Sequence, residues 1–288
     1  MGDGKSLIEL NVDLGKFAKP ADRLIKVISQ GFGKVYEPTH LRRMAKAKVD
    51  SKKTLKLGEL ALQNELEERA IIRVVSEETR NQKNIEDITR EAISHLNEDA
   101  TPEKMDLDWV VHFLEQSKIV SDEQMQILWG KILAGEANKE GSFSKRTVSF
   151  LSSLEKEEAD VFTQLCGFCI TGPNVTHYPV IIRYDEKIYN KVGIDHRSLS
   201  HLDSIGLINF NTVPPFVISN VKSGLVFHYF EQTFNIELPN EQNAFPIGQV
   251  LFTQIGNELC KISGATPVKG FLSFLKEDYS KRKIKIKF

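Results

Sequence analysis

The sequence is short of the features that define several large protein classes. Its 288 residues contain only three cysteines, an odd number that is too small for a disulfide framework and is typical of a reducing compartment. No apolar run approaches the roughly 18 residues of a membrane span. The formal net charge is −1, so no global field attracts nucleic acid or an anionic membrane. The composition, 41% hydrophobic and 27% charged, is that of a soluble globular protein.

Motifs that carry catalysis are also missing from the sequence. It contains no HExxH helix, no GxSxG elbow and no complete phosphate-binding loop. Acidic residues are numerous, but the pattern places them on helical surfaces. A catalytic pair of acids needs one carboxyl group in an apolar pocket, where its pKa differs from that of its partner. We therefore predict a protein without enzymatic activity and without a cofactor.

The motif CGFC, from Cys166 to Cys169, has the most apparent chemistry. A redox pair with this spacing places its first thiolate at a helix N-terminus, whereas this motif falls at the end of a predicted helix. A zinc site needs four ligands. Cys166, Cys169, His177 and the distant Cys260 could supply them, but no second paired spacing accompanies the first. The pattern therefore favours buried, apolar cysteines and no metal site.

Charge is unevenly distributed along the first third of the chain. Between Lys16 and Lys56, twelve basic residues stand against three acidic ones, and between 57 and 115 fifteen acidic residues stand against six basic ones. Residues 1–56 form a basic segment with an amphipathic helical pattern from Leu24 to Val35. Such a helix can dock on the protein's own acidic segment, on an anionic membrane or on nucleic acid. The candidate membrane or phosphate contacts are Lys16, Lys19, Arg23, Lys26, Lys34, Arg42, Arg43 and Lys46.

Residues 57–168 are predicted to form a helical domain. From about residue 45 to 96 the chain is rich in good helix formers and lacks proline, which predicts one or two long charged helices. Such helices are candidates for an oligomerisation or partner arm. Two amphipathic helices follow, the second with Ser121 as its expected N-cap. The candidate structural anchors of this domain are Trp109, Phe113, Trp129 and Ser144, the last as the cap of the next helix.

Residues 169–288 change to a mixed pattern. The pattern predicts a strand within 177–185, a helix capped by Asp195, a hairpin in GLVFHYFEQTFNIEL, a helix from Thr253 and a final strand in KIKIKF. This order is typical of a winged helix. Its candidate contacts are His196, Arg197, Ser200 and His201, which offer too few cations for strong phosphate binding. We predict an α+β fold, mostly α, with a helical N-terminal half that contains a long charged helix and a winged-helix-like C-terminal half.

Three stretches of the sequence resemble a bacterial family known as domain of unknown function 2806. They are NQKNIEDI (81–88), DLDWVVHFLEQSKIVSDEQMQILWGKILAGE (106–136) and GSFSKRTVSFLSSLEKEEADVF (141–162). The most specific portion is the Trp129 helix with the turn from Ser144 to Thr147. The family has no established reaction, so the resemblance implies no catalytic residue. It does imply an association with bacterial accessory and phage-defence loci.

These observations lead to three hypotheses about function. The first is a non-enzymatic bacterial interaction or sensor protein, a component of phage defence that acts through protein partners or self-assembly into an oligomer. The second is a peripheral lipid-binding protein that uses the basic amphipathic segment. The third is a DNA-binding regulator that uses the winged-helix-like region. We expect a cytoplasmic protein, which the second hypothesis places at the inner membrane surface.

Overall fold

The chain folds into two compact units, Met1–Ser152 and Ser153–Phe288. A computed structural model describes residues 18–35, 61–213, 215–219, 221, 225–239 and 244–288. Helices dominate, and small antiparallel sheets occur in the C-terminal unit. The predicted class, α+β and mostly α, is confirmed.

Helices make up the described part of the N-terminal unit. They are α1 (Ala18–Val35), α2 (Ala61–Ser94), a 3-10 turn (Pro102–Lys104), α3 (Leu107–Ser117), α4 (Glu123–Asn138) and α5 (Lys145–Leu151). The predicted long charged helix is α2, with 34 residues. Buried positions on α2 begin at Asn81, whereas its residues 66–80 are exposed or half-buried. Packing therefore stabilises mainly the second half of this helix.

The amphipathic helix α1 packs through its apolar face. Leu24 and Ile28 are fully buried, and a Cβ atom at Gly31 would lie 2.8 Å from Cγ1 of Val110 on α3. Glycine at this position lets the two helices approach closely. The apolar face of α1 is therefore packed against α3.

An aromatic stack forms the centre of the N-terminal unit. Trp129 on α4 is fully buried, and its ring meets that of Phe113 edge-on at a centroid distance of 5.2 Å. The Phe113 ring in turn stacks on Trp109 at 5.2 Å. The indole Nε1 of Trp109 donates a hydrogen bond to the backbone oxygen of Phe143 at 2.7 Å. These contacts anchor α3, α4 and the loop before α5.

A buried carboxylate shapes that loop. Glu136 is 2% exposed, and its two oxygens accept hydrogen bonds from the backbone N–H of Gly141 at 2.7 Å and of Phe143 at 2.9 Å. Burial raises the pKa of Glu136, and the backbone donors oppose this shift. Ser144 then caps α5 by accepting a hydrogen bond from the Thr147 N–H at 3.2 Å. The loop is thus held by structural hydrogen bonds.

The N-cap of α4 differs from the prediction. Asp122 occupies this position and accepts a hydrogen bond from the N–H of Met125 at 3.0 Å. The expected cap, Ser121, instead accepts a hydrogen bond from Nδ2 of Asn84 on α2 at 3.1 Å. A tertiary contact therefore engages the hydroxyl, and the neighbouring carboxylate takes over the capping role.

The C-terminal unit combines five helices and nine short strands in its described part. The helices are α6 (Lys156–Cys166), α7 (Lys187–Asn190), α8 (His196–Ser204), α9 (Gln254–Cys260) and α10 (Phe271–Lys281). The strands are β1 (Cys169–Thr171), β2 (His177–Pro179), β3 (Ile208–Phe210), β4 (Phe216–Ile218), β5 (Leu225–Tyr229), β6 (Gln232–Glu237), β7 (Phe245–Gly248), β8 (Val250–Phe252) and β9 (Lys285–Lys287). They form a five-stranded sheet in the order β2-β1-β5-β6-β9 and the pairs β3-β8 and β4-β7.

Local signals in this unit are reproduced by the structure. Asp195 caps α8 by accepting a hydrogen bond from the Ser198 N–H, and Thr253 caps α9 through Gly256. The predicted hairpin forms from β5 and β6, and the final strand β9 lies at one edge of the five-stranded sheet. The strand expected within 177–185 is shorter, because β2 ends at Pro179.

Gly130 provides a test of the packing between α2 and α4. A Cβ atom there would lie 2.6 Å from Cγ of Glu91 and 3.1 Å from the backbone nitrogen of Ala92. We expect Gly130→Ala to lower the free energy of unfolding by about 1–3 kcal/mol, as overpacking does. Gly33→Ala is the matched control, since among the described residues beyond its own helix turn no atom lies within 4 Å of its Cβ position, and we expect it to stabilise by about 0.4–1 kcal/mol. Urea unfolding followed by circular dichroism measures both, and equal effects would contradict the close helix contact.

Candidate metal centre

Three cysteines from separate elements meet in the C-terminal unit. Cys166 is the last residue of α6, Cys169 is the first of β1, and Cys260 is the last of α9. Their sulfur atoms all lie within 4.8 Å of one another. The Sγ atoms of Cys169 and Cys260, which are 91 residues apart in the chain, are separated by 3.8 Å. Folding thus brings the CxxC motif and the distant third cysteine together.

The turn between the first two cysteines is fixed by aromatic packing. Phe168 is fully buried and meets the rings of Tyr189 and Phe271 edge-on, at centroid distances of 4.9 and 5.1 Å. Its backbone oxygen accepts a hydrogen bond from the N–H of Val180 at 3.1 Å. The two thiols are therefore presented by a well-anchored turn.

A tyrosine hydroxyl ties this turn to a second loop. The hydroxyl of Tyr229 donates to the backbone oxygen of Gly167 at 2.8 Å and accepts from the N–H of Val268 at 2.6 Å. Burial raises the pKa of Tyr229 to about 12, so the hydroxyl keeps its proton near neutral pH. This link holds the cysteine turn against the segment that precedes α10.

A cavity of about 250 Å³ lies beside the three sulfur atoms. Cys166 and Cys169 are buried at its base, whereas Cys260 is half-buried. His177 and Lys261 also line the cavity. The cluster is therefore reachable from solvent, with Cys260 as the more accessible of the three thiols.

His177 is held next to the cysteines by contacts with β1 and α9. It lies opposite Thr171 in the β1–β2 register, and its ring Nδ1 is 3.0 Å from Oγ1 of that threonine. Its backbone N–H donates to Oδ1 of Asn257 at 3.3 Å, and Asn257 is on the same helix as Cys260. The tautomer that donates from Nδ1 to Thr171 leaves Nε2 as the nitrogen for a metal, and the group of ligand atoms within 4.8 Å of one another contains the three sulfur atoms without a His177 nitrogen. A hydrogen bond to the other ring nitrogen is the usual support of a histidine ligand.

The electrostatics of the three thiols are unequal. Burial raises the pKa of Cys166 and of Cys169 well above the usual range. Hydrogen bonds from these two thiols lower the pKa of Cys260, and the charges of His177 and Lys261 lower it further. Burial and hydrogen bonding therefore shift the pKa of Cys260 in the direction opposite to the pKa values of Cys166 and Cys169. Metal binding would displace the thiol protons, because thiolates are the metal-binding form.

The comparisons with known proteins establish the family. A family model described as "Protein of unknown function (DUF2806)" matches residues 68–276. The chain belongs to the DUF2806 family. No curated protein and no solved structure matches it. The region matched by DUF2806 contains all three cysteines and His177, whereas α1 lies before it.

The residues predicted for DNA contact lie on α8 and take part in local interactions. His201 pairs with Glu158 through Nε2 at 2.7 Å. The ring of His196 packs edge-on on Tyr184 and Phe210, at 5.2 and 5.4 Å. None of His196, Arg197, Ser200 and His201 is among the described residues that line the cysteine cavity.

The candidate basic contacts are only partly within the described residues. Lys19, Arg23 and Lys26 are exposed on α1, and Arg23 pairs with Glu103 at 3.2 Å. Lys16, Arg42, Arg43 and Lys46 lie outside the described residues, as does the side chain of Lys34. No helix in the described ranges is long and apolar enough to cross a membrane.

The sequence did not identify the cysteine cluster as a site. The CxxC motif was visible, but a metal site was disfavoured because the third cysteine and the histidine have no paired spacing. The missing signal was the pairing of β1 with β2, which follows CxxC directly and turns His177 back toward the cysteines. Cys260, at the end of the predicted Thr253 helix, had no local feature that linked it to the motif.

Tyr229 tests how the cysteine turn is held. We expect Tyr229→Phe to lower the free energy of unfolding by about 1–3 kcal/mol, because the buried partners on Gly167 and Val268 lose their hydrogen bonds. Tyr184→Phe is the control, since this half-buried residue contributes ring contacts, and its effect should stay within about 0.5 kcal/mol. Urea unfolding measures both variants. A Tyr229→Phe variant as stable as the control would contradict the bridging role.

Proposed function

We propose that this DUF2806 protein is a non-enzymatic interaction or sensor protein whose C-terminal unit binds one thiophilic metal ion, Zn²⁺ above all. Cys166, Cys169 and Cys260 supply thiolate ligands. The observation that carries the proposal is the 3.8 Å separation of the Cys169 and Cys260 sulfur atoms. Zinc–sulfur bonds are about 2.3 Å long, which places two sulfur atoms of a tetrahedral site about 3.8 Å apart. A disulfide would bring them to about 2.05 Å.

The ligand types favour zinc over harder cations. Thiolates are soft ligands that select Zn²⁺, Cu⁺ or iron–sulfur clusters, whereas Mg²⁺ and Ca²⁺ prefer oxygen. His177 is the fourth ligand in this proposal, because it lines the same cavity and is tied to β1 and to α9; its ring has to move toward the sulfur atoms, which form a group of three without it. Three cysteines and one histidine form a common structural zinc set.

This ligand set also supports a role without catalysis. Structural zinc sites have four protein ligands, whereas catalytic sites keep one position for water or substrate. A metal bound here would cross-link α6, β1 and α9. Such a link between distant parts of the chain stabilises the folded state. The ion would therefore control the integrity of the C-terminal unit.

Metal analysis of the full chain tests the proposal. We expect about one equivalent of Zn²⁺ per chain. Cys260→Ser should lower the affinity of the protein for Zn²⁺ more than about 100-fold, because the loss of a ligand weakens binding more than the roughly 10–100-fold caused by loss of a residue that only supports a ligand. His177→Ala should lower the affinity at least about 10-fold and should shift the visible absorption bands of Co²⁺-loaded protein.

The matched control is His201→Ala, which removes a histidine of the same unit that pairs with Glu158. It should keep wild-type stoichiometry and wild-type Co²⁺ bands. Wild-type protein that binds no Zn²⁺ in a competition assay with a chromogenic chelator would overturn the proposed metal site. Unchanged Co²⁺ bands in His177→Ala would remove histidine from the ligand set.

The interaction part of the proposal rests on the exposed half of α2. Ile72 and Val75, three residues apart on one face of this highly charged helix, are 61% and 47% exposed, whereas Leu66, 65% exposed, lies on another face. Apolar side chains grouped on an exposed helix mark an association surface. We assign a second copy of the chain as the partner, which gives a self-associating protein. The lipid-binding alternative has less support, because the apolar face of α1 is packed on α3.

Self-association is tested by sedimentation over a range of concentrations. We expect the wild-type chain to form an oligomer and Ile72→Ser to weaken it about 10-fold, since burial of such a side chain contributes about 1.5 kcal/mol or more. Ile119→Ser is a matched control because Ile119 is equally exposed, at 61%, and lies outside α2. A wild-type chain that stays monomeric at all concentrations would contradict the role of α2.

A further inference from the structure

The three thiols differ in access, and this difference gives them separate roles in oxidation. All three cysteines line the cavity, and Cys260 is half-buried whereas Cys166 and Cys169 are buried. We therefore expect a small oxidant that enters the cavity to reach Cys260 most easily.

The distance between sulfur atoms identifies Cys169 as the cysteine that can form a disulfide with Cys260. The Sγ atom of Cys169 lies 3.8 Å from that of Cys260, and a disulfide needs about 2.05 Å. The two sulfur atoms therefore need to approach by less than about 2 Å. Rotation about the side-chain bonds of Cys260 can supply much of this movement, since Cys260 is at the end of α9 and borders the cavity.

We propose that hydrogen peroxide oxidises Cys260, that a Cys169–Cys260 disulfide then forms, and that the bound metal ion is released. This inference rests on the proposed metal site and describes its regulation. The disulfide removes two of the four ligands, which leaves Cys166 and His177 to hold the ion. Two ligands are too few for a stable structural zinc site.

The chemistry balances in two steps. The Cys260 thiolate attacks one peroxide oxygen, so that an S–O bond forms, the O–O bond breaks and hydroxide leaves. The Cys169 sulfur then attacks Sγ of Cys260, so that the S–S bond forms, the S–O bond breaks and a second hydroxide leaves. Protons from the thiols and solvent convert both hydroxides to water. The peroxide accepts two electrons, one from each cysteine sulfur, and a dithiol reductant reverses the reaction.

The experiment treats the full chain, loaded with Zn²⁺, with increasing hydrogen peroxide. A chromogenic chelator reports released zinc, a thiol reagent counts free cysteines, and mass spectrometry of unreduced peptides identifies the disulfide. We expect two thiols to be lost for each zinc ion released and the Cys169–Cys260 peptide to dominate. Dithiothreitol with added Zn²⁺ should restore the starting protein.

One cysteine variant and one control variant test the roles of Cys169 and Cys260. In the metal-free Cys169→Ser chain, Cys260 should stop at the sulfenic acid, which a 1,3-dione probe traps. Ser280→Ala is the control, because Ser280 is exposed on α10 and its hydroxyl donates to the backbone oxygen of Glu277, and it should behave as wild type. A dominant disulfide that contains Cys166 would overturn the proposal, as would a chain that keeps its thiols at peroxide levels that oxidise free cysteine.

The metal-free wild-type chain is oxidised in parallel, which separates the two proposals. If the untreated chain binds no zinc, the metal site is refuted, and the metal-free sample still decides whether Cys169 and Cys260 form the disulfide. If zinc binds but the disulfide does not form, the metal site stands and its redox regulation is refuted.

Discussion

The approach of Cys260 to Cys169 is the contact on which the candidate site depends. It requires α9 to start where Thr253 caps it and to end beside β1, and the pairing of β8 with β3 fixes where α9 begins. The three thiols are electrostatically unequal, because burial raises the pKa of Cys166 and of Cys169, whereas hydrogen bonds from these thiols lower the pKa of Cys260. A thiophilic cation would remove that inequality by binding all three as thiolates. The geometry of the C-terminal unit and the chemistry of the site are therefore linked.

The N-terminal unit shows that a distinctive sequence can serve packing alone. Trp129 is fully buried, and Glu136 directs its carboxylate to the backbone of the loop that leads to α5. A buried carboxylate is costly unless backbone donors surround it, so the loop and the acid require each other. Gly130 is needed because α2 passes too close for a side chain. These constraints explain the packing of the Trp129 helix and of the loop that follows it.

The sequence predicted those features that depend on neighbouring residues. Asp195 caps its helix as expected, and the helix expected from Thr253 begins there with Thr253 as its cap, because a cap needs only the N–H groups two or three residues ahead. Ser121 failed as a cap because Asn84, from another helix, engages its hydroxyl. The cysteine cluster could not be predicted because it, too, depends on contacts between residues that are far apart in the chain. It depends on strand pairing and helix placement that bring together residues with no shared local pattern.

Cys260 is both a ligand of the proposed metal site and the most solvent-accessible of the three cysteines. This double role connects the proposed function with its regulation. If all three cysteines were buried, a bound ion would be a permanent cross-link. If all three were exposed, the ion would exchange freely with solvent. Here two ligands are enclosed and the third borders a cavity that also contains His177 and Lys261. The same sulfur atom that completes the metal site is therefore the one through which the surroundings can act on it, which suits a sensor better than a purely structural clamp.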